Sequence, residues 1–434
     1  MSEHQPTPAG GFSRRSVLGY GAALVGGAGL GAVGQAARTG GGAVADGSTP
    51  GTGASSGPAG TATSADFDRL EPFEGDHQHG VASAPQAHAT VLALDLLPGA
   101  GKEDLRRLLT VWTDDIRRLT QGRPTLSDPQ PELATPAAGL TITVGVGPRA
   151  VALTGRPAPA WLRPLPAFAV DKLTPAYSDG DILAQVCGDD PTVVAHAVRA
   201  LLIDLPGLAT LRWMQRGFRR PAGSASTMRN LMGQVDGTIN PDPASPDFAD
   251  LVWVGSEGPD WLVGGTGMVV RRIAMNLDVW DQLSRTDKEE VIGRTLADGT
   301  PLSGGKPTDK VDLKAVDASG LTKIPMFAHT RHAAAQGARD RFLRRPYSYD
   351  EPVGPHGSVA AAPAPATSVA GTTSNAGLLF ITFQRDVDEQ FVPVQKRLEK
   401  PDLLNKWTTP IGSAVFAILP GCRAGEILGQ ALLA

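Results

Sequence analysis

Few side chains in this sequence could do chemistry, and elimination narrows them further. Eight histidines are present. His4 lies in a basic N-terminal stretch, His356 in a low-complexity tract, His88 before a strand-like run and His196 inside a helical one. In Asp76-His77-Gln78-His79 the two imidazoles share a face only on a strand, and a metal site needs three or four ligands, so a structural loop is the better reading. Ala328-His329-Thr330-Arg331-His332 is more informative. An imidazole two residues from a guanidinium suits an iron porphyrin, with the imidazole on iron and the guanidinium on a propionate. A solvated basic loop would have the same composition. The longest pattern is Met228-Arg229-Asn230-Leu231-Met232-Gly233-Gln234-Val235-Asp236-Gly237-Thr238-Ile239-Asn240-Pro241. Asp236-Gly237 followed by Asn240-Pro241 reads as two turns, but Arg229-Asn230-Leu231 and Gly233 extend the pattern beyond what a turn requires.

Two cysteines, Cys187 and Cys422, are too far apart for any CxxC or CxxCH spacing. That argues against a structural zinc, an iron–sulfur cluster and a covalently attached haem, and leaves two unpaired thiols as the simpler expectation. The formal net charge of −4 carries no basic excess, which argues against a nucleic-acid partner.

These residues need a frame, and 434 residues suffice for two domains or two fused halves. In the first half, residues 89–96 read as a strand, and residues 102–121 read as a helix with Leu105, Leu108, Leu109, Trp112, Ile116 and Leu119 on one face. Residues 140–144 and 181–186 read as further strands and 191–205 as a second helix, a ferredoxin-like order. The second half repeats the theme: strand 266–275, helix 284–295 with Ser284 as N-cap, apolar strand 377–383, helix 386–398. The expected fold class is α+β, two ferredoxin-like halves with their antiparallel sheets packed together, at 67–225 and 226–434. A mobile Pro/Ala/Gly/Ser/Thr-rich insertion is expected at 353–375.

Ser13-Arg14-Arg15-Ser16-Val17-Leu18 places paired arginines before a Gly/Ala-rich apolar stretch at 17–33, followed by the small-x-small site Ala43-Val44-Ala45. The stretch is too short and weakly apolar for a membrane span. Residues 1–45 therefore read as a twin-arginine signal peptide and 46–66 as a flexible tether. The expected route is export by the twin-arginine translocase without a membrane anchor. The destination would be extracellular or the cell envelope, periplasmic where the host has an outer membrane.

Gly233-x-x-Asp236-Gly237 resembles the GxxDG signature of the dye-decolourising peroxidase family. The surroundings are similar too: His77-Gln78-His79-Gly80-Val81, the run from Arg212 to Arg219, Val269-Val270-Arg271-Arg272-Ile273, Ile292-Gly293-Arg294-Thr295, Ala328-His329-Thr330-Arg331, Phe342-Leu343-Arg344-Arg345 and the stretch 377–385. The resemblance covers residues 70–430 in order, and the signal peptide points to the exported bacterial branch. It implies non-covalent haem b (iron protoporphyrin IX) in the C-terminal half. His329 would be the proximal iron ligand, Asp236 the distal acid, Arg344 the distal arginine and Arg331 a propionate partner. Leu378 and Phe380, at i and i+2, would cover the distal pocket. Neighbouring Arg344 and Arg345 face opposite ways on an extended segment, so only one reaches the iron, and Arg344 is chosen from its place after Phe342-Leu343. His332 is unusual beside the axial motif and is a rival ligand, Ala334 stands where Asn is common, and Gly267 replaces an aromatic residue.

The implied activity is reduction of hydrogen peroxide through a ferryl porphyrin-radical state and oxidation of dyes, phenols or other one-electron donors. An ionised carboxylate in the acid's place implies an acidic optimum, on the order of pH 4 to 5. Tyr347, Tyr349 and Trp407 are candidate surface aromatics for electrons from donors too bulky for the pocket, or else packing residues. The alternative on the same fold is a haem-, iron- or copper-handling protein with little peroxidase turnover.

Overall fold

The computed structural model describes residues 67–220, 228–237, 239–337, 339–353, 373–399 and 401–434. The signal peptide expected at 1–45, the tether at 46–66 and the insertion expected at 353–375, apart from its ends, lie outside the described residues.

Four strands form the first sheet: β1 (His88–Leu96), β2 (Thr141–Val146), β3 (Ile182–Gly188) and β4 (Ala209–Phe218). They lie in the order β2-β3-β1-β4, all antiparallel. Helix α1 (Lys102–Leu119) joins β1 to β2, and α2 (Pro191–Ile203), started by Asp190 accepting from the Thr192 amide, joins β3 to β4. This is the ferredoxin-like arrangement. The second sheet is built from β5 (Thr266–Met275), the short β6 (Leu343–Arg344) and β7 (Tyr347–Asp350), β8 (Ala376–Gln384) and β9 (Thr408–Ile418). Here β9, β5, β8 and β7 are neighbours in that order, which repeats the first sheet. Between β5 and β6 lie α3 (Arg285–Ile292), N-capped by Ser284, and the single turn α4 (His329–Ala333); α5 (Val392–Leu398) lies between β8 and β9.

The two sheets are hydrogen-bonded into one closed ring. One seam joins β2 to β9 at Gly145↔Ile418 and Val146↔Ala417, and the other joins β4 to β7 at Phe218↔Ser348. Strand alternation then sorts every side chain. Val91, Ala93, Leu379, Ile381, Phe383 and Phe416 fill the interior between the sheets, while Leu92 and Leu94 point outward to the core beneath the helices. The helical stripe expected on α1 packs into that same outer core.

Such short seams need support, and the segment before β1 supplies it. Gln78 is buried, and its amide donates to Val144 O (2.8 Å) and Leu419 O (2.8 Å) while its Oε1 accepts from the Val144 amide (2.8 Å). One side chain thus bridges the β2–β9 seam. His77 stacks on Trp253 with ring centroids 3.9 Å apart and has Nδ1 at 2.6 Å from Gly264 O. The structural reading of this loop fits these contacts.

The expected helix at 386–398 is one element of a different kind. A π turn at Val387–Phe391, capped by Asp386, precedes α5. Pro393 has no N–H to give to the carbonyl four residues back, so the regular α ladder cannot run through. Among the described residues, no helix is long and apolar enough to cross a membrane.

Between α1 and α2, two carboxyl groups face each other. Burial pushes the Asp115 carboxyl up to about 8, and its hydrogen bond to Asp204 adds to this; Asp204 is raised as well, again through burial. Asp204 Oδ2 is buried with no hydrogen-bond donor, as expected where a shared acid proton belongs. The folded chain holds that proton at pH values where the unfolded chain releases it. The pair's contribution is therefore present at pH 4 and is lost as pH rises through about 8. Thermal melts of Asp115→Asn should show the variant gaining on the native chain between pH 5 and pH 8; a pH-independent difference would contradict the shared proton.

Candidate active site

Asp236 lies on a loop that the sequence makes rigid. Asn230 Oδ1 accepts from the amides of Met232 (3.0 Å) and Gln234 (3.2 Å), and Arg229 and Val235 bridge across it. Arg229 Nη1 donates to Gly233 O (2.9 Å) and Leu296 O (2.6 Å), and Nη2 to Ala297 O (2.6 Å). Gly233 (φ 83°) and Gly237 (φ 90°) adopt the left-handed conformation that disfavours any side chain, which explains both glycines of the motif. A Cβ on Gly237 would meet nothing within 4 Å, so the loop borders open space.

Arg344 Nη1 lies 3.3 Å from Asp236 Oδ1, and both side chains keep a little solvent access, 28% and 13%. Arg345 turns the other way, into the barrel. Its Nη1 donates to Ser83 O (2.6 Å) and its Nη2 to Gln86 Oε1 (2.5 Å), with 2% of the residue exposed. The structure thus brings Arg344 to Asp236 and commits Arg345 to the segment before β1.

His329 opens α4, and its Nδ1–H donates to Asp402 Oδ2 at 2.6 Å. Asp402 is 4% exposed and also caps the turn Leu403–Lys406. Burial opposes the imidazolium form, but the Asp402 carboxylate outweighs it and the ring's pKa is raised. The ring also feels the charges of Arg344 and Asp236, so the three groups influence one another electrostatically. His332 is placed differently, with Nε2 2.9 Å from Met326 O. Arg331 donates Nε to Pro325 O (3.1 Å) and Nη2 to Ile324 O (2.6 Å) and Leu313 O (3.2 Å). These bonds fasten the preceding loop and leave Nη1 for the propionate contact expected of Arg331.

The wall is apolar. Met228, Met232, Met275, Trp280, Val291, Ile292 and Leu378 form one cluster, with Phe380 half-buried against it. Leu378 and Phe380 share the outer face of β8 because their neighbours Leu379 and Ile381 point into the barrel. Tyr347 and Tyr349, read from the sequence as candidate surface aromatics or else packing residues, are buried at 0% and 1%, as the packing reading requires. They pair with Leu379 and Gly377, which turns them inward, and burial pushes the Tyr349 phenol up to about 12. Trp407 is half-buried, with its ring edge-to-face on Trp280 at 5.3 Å.

Among the described residues, no three His, Cys, Asp or Glu side chains gather as they would around a bare metal ion. One imidazole, steadied from behind by a carboxylate with its Nε2 left over, is instead the donor set for an iron already held in a porphyrin. An apolar wall suits the macrocycle, and the Asp–Arg pair suits a polar small molecule. The residues fit haem.

Family models described as Dyp-type peroxidase match this chain in two parts, the N-terminal one at residues 78–219 and the C-terminal one at 227–423. The chain belongs to the Dyp-type peroxidase family. A dye-decolorizing peroxidase of Thermobifida fusca is 36% identical over 82% of this chain and 83% of its own length. A deferrochelatase of Escherichia coli K12 is 32% identical over 84% of this chain and 87% of its own. The crystal structure of a DyP-type peroxidase from Cellulomonas bogoriensis, 51% identical, superposes with a TM-score of 0.78 and covers 85% of this chain and 99% of that one.

Sequence reasoning missed Asp402. It lies 73 residues from the imidazole it holds, and its only local sign is an acidic residue starting the turn Leu403–Lys406. The opposite facing of the paired arginines gives a test that needs no cofactor. Arg345→Ala strands the Ser83 carbonyl and the Gln86 amide and should cost roughly 2–4 kcal/mol in a denaturant melt. Arg344→Ala should cost less than about 1 kcal/mol. Equal costs would place both arginines in structural roles.

Proposed function

We propose that this chain is a haem-dependent peroxidase in which Asp236 and Arg344 act on hydrogen peroxide and His329 would hold the haem iron. The observation that carries this reading is the Asp236–Arg344 pair at 3.3 Å, together with an imidazole backed by Asp402 that feels the charges of both. His329 Nε2 would be the iron ligand, with Asp402 fixing the ring's tautomer and direction through Nδ1. Leu378 and Phe380 would pack on the macrocycle, and Arg331 Nη1 would meet a propionate. When bound, the haem supplies the redox chemistry.

The chain's own groups manage charge and protons. An Asp236 carboxylate oxygen takes the proton from one peroxide oxygen and returns it to the other as water leaves. Arg344 stays cationic, holds the carboxylate in register and offsets negative charge on the departing oxygen. One-electron donors such as dyes or phenols complete the cycle. The paired arginines at 14 and 15, the apolar stretch 17–33 and the site Ala43-Val44-Ala45 support export by the twin-arginine translocase, to the outside or the cell envelope.

A second reading, release or handling of iron from haem, is favoured by the 32% identity to the E. coli deferrochelatase. Incubation of the holoprotein with a reductant separates the two. Fluorescent metal-free porphyrin would favour iron release, whereas rapid peroxide consumption with a shifted Soret band and no free porphyrin would favour the peroxidase.

Asp236→Ala and Arg344→Ala should each slow the peroxide-driven Soret change by about a hundredfold or more while haem stays bound. Wild-type rates in both variants would remove the distal assignment. His329→Ala should lose the native ferric spectrum and His332→Ala should keep it; the reverse result would exchange their roles.

A further inference from the structure

Arg344 belongs to a strand of only two residues, and that raises the question of what fixes its backbone. The Arg345 amide donates to Ile381 O on β8 at 2.9 Å. The pleat therefore turns the N–H and C=O of Arg344 away from β8, toward a side on which no strand pairs with β6 among the described residues. Asn240 fills that gap. Its Oδ1 accepts from the Arg344 N–H at 2.8 Å, and its Nδ2 donates to the Arg344 C=O at 2.9 Å. A primary amide here makes both bonds that a neighbouring strand's peptide would make. Beside it, the Ile239 carbonyl accepts from Arg344 Nη2 at 3.2 Å.

This contact matters because of where it lies in the chain. Arg229 fixes the loop upstream of Asp236, through the Gly233, Leu296 and Ala297 carbonyls. Asp236 itself is tied back through its amide to Met228 O at 2.9 Å, and beyond Gly237, in the left-handed region, the chain needs a downstream anchor. Asn240 is that anchor, and Pro241 after it biases its backbone toward an extended conformation. The residue four places beyond Asp236 thereby grips the backbone of the arginine that Asp236 faces.

We propose that Asn240 is a positioning residue that sets the separation of Asp236 and Arg344 by standing in for a missing strand. Aspartate could accept from the Arg344 amide but could not donate to its carbonyl. Glutamine carries the same amide but is longer by one methylene, which would push the loop away. The inference rests on the reading that Asp236 and Arg344 are the pair that meets peroxide.

The test uses the haem-loaded full chain and the variants Asn240→Ala, Asn240→Asp, Arg344→Ala and the Asn240→Ala/Arg344→Ala double variant. In Asn240→Ala the Arg344 backbone amide should exchange with deuterium at least about tenfold faster, because it loses its acceptor. The peroxide-driven Soret change should slow by about tenfold to a hundredfold, the scale on which a displaced group loses rate. The resting Soret band should stay in place, and Asn240→Asp should keep the amide protected. In the Arg344→Ala background, loss of Asn240 should change the rate less than about twofold. An unchanged rate in Asn240→Ala beside a slow Arg344→Ala would overturn the positioning role alone. Equal slowing by Asn240→Ala with and without Arg344 would also overturn it, by showing a general structural effect. A wild-type rate in Arg344→Ala would instead sink the underlying distal-pair reading, and the positioning role with it.

Discussion

The pleat of one short strand governs this molecule. Successive residues on a strand must face opposite sides, and at Arg344-Arg345 both sides are occupied by things that matter. The outward guanidinium meets the Asp236 carboxylate, and the inward one meets the Ser83 carbonyl and the Gln86 amide. A register slip of one residue would exchange the two and destroy the pocket and the barrel wall together. The site is therefore an extension of the barrel rather than an attachment to it.

The same economy runs through the rest of the pocket. Asp402 caps a turn and holds an imidazole with the same carboxylate. Trp280 packs in the pocket's wall and donates its indole N–H to Met232 O at 3.0 Å, inside the loop that carries Asp236. Its ring also meets Trp407, one residue beyond the turn that Asp402 caps. A buried indole thus ties the Asp236 loop to the segment that follows Asp402.

Much of this was legible in residue order. The apolar stripe of α1 and the continuous apolar run of β8 are periodic patterns, and periodicity reports burial directly. Asp236 and His329 stood out because local motifs carried them. Other features are made by folding alone. The Asp402 partnership joins distant residues with no shared motif. Tyr347 and Tyr349 lie inside because of their partners on β8, which no local rule reveals. Arg331 is drawn to carbonyls of a loop whose path the sequence does not encode by period. Asn240 reads locally as a turn residue, and its pairing with a strand backbone exists only once that strand is in place.

The closed ring has a consequence for how the chain comes to exist. The first sheet has its full strand order by Phe218, yet its two outer strands have no neighbours until 347–350 and 408–418 have been made. During synthesis, β2 and β4 present unpaired backbone edges, and Gln78 waits for a carbonyl at Leu419, 341 residues later. Residues 408–418 must therefore be made before the ring can shut. A nascent first half is a sheet with two adhesive sides, open until the second half pairs with them.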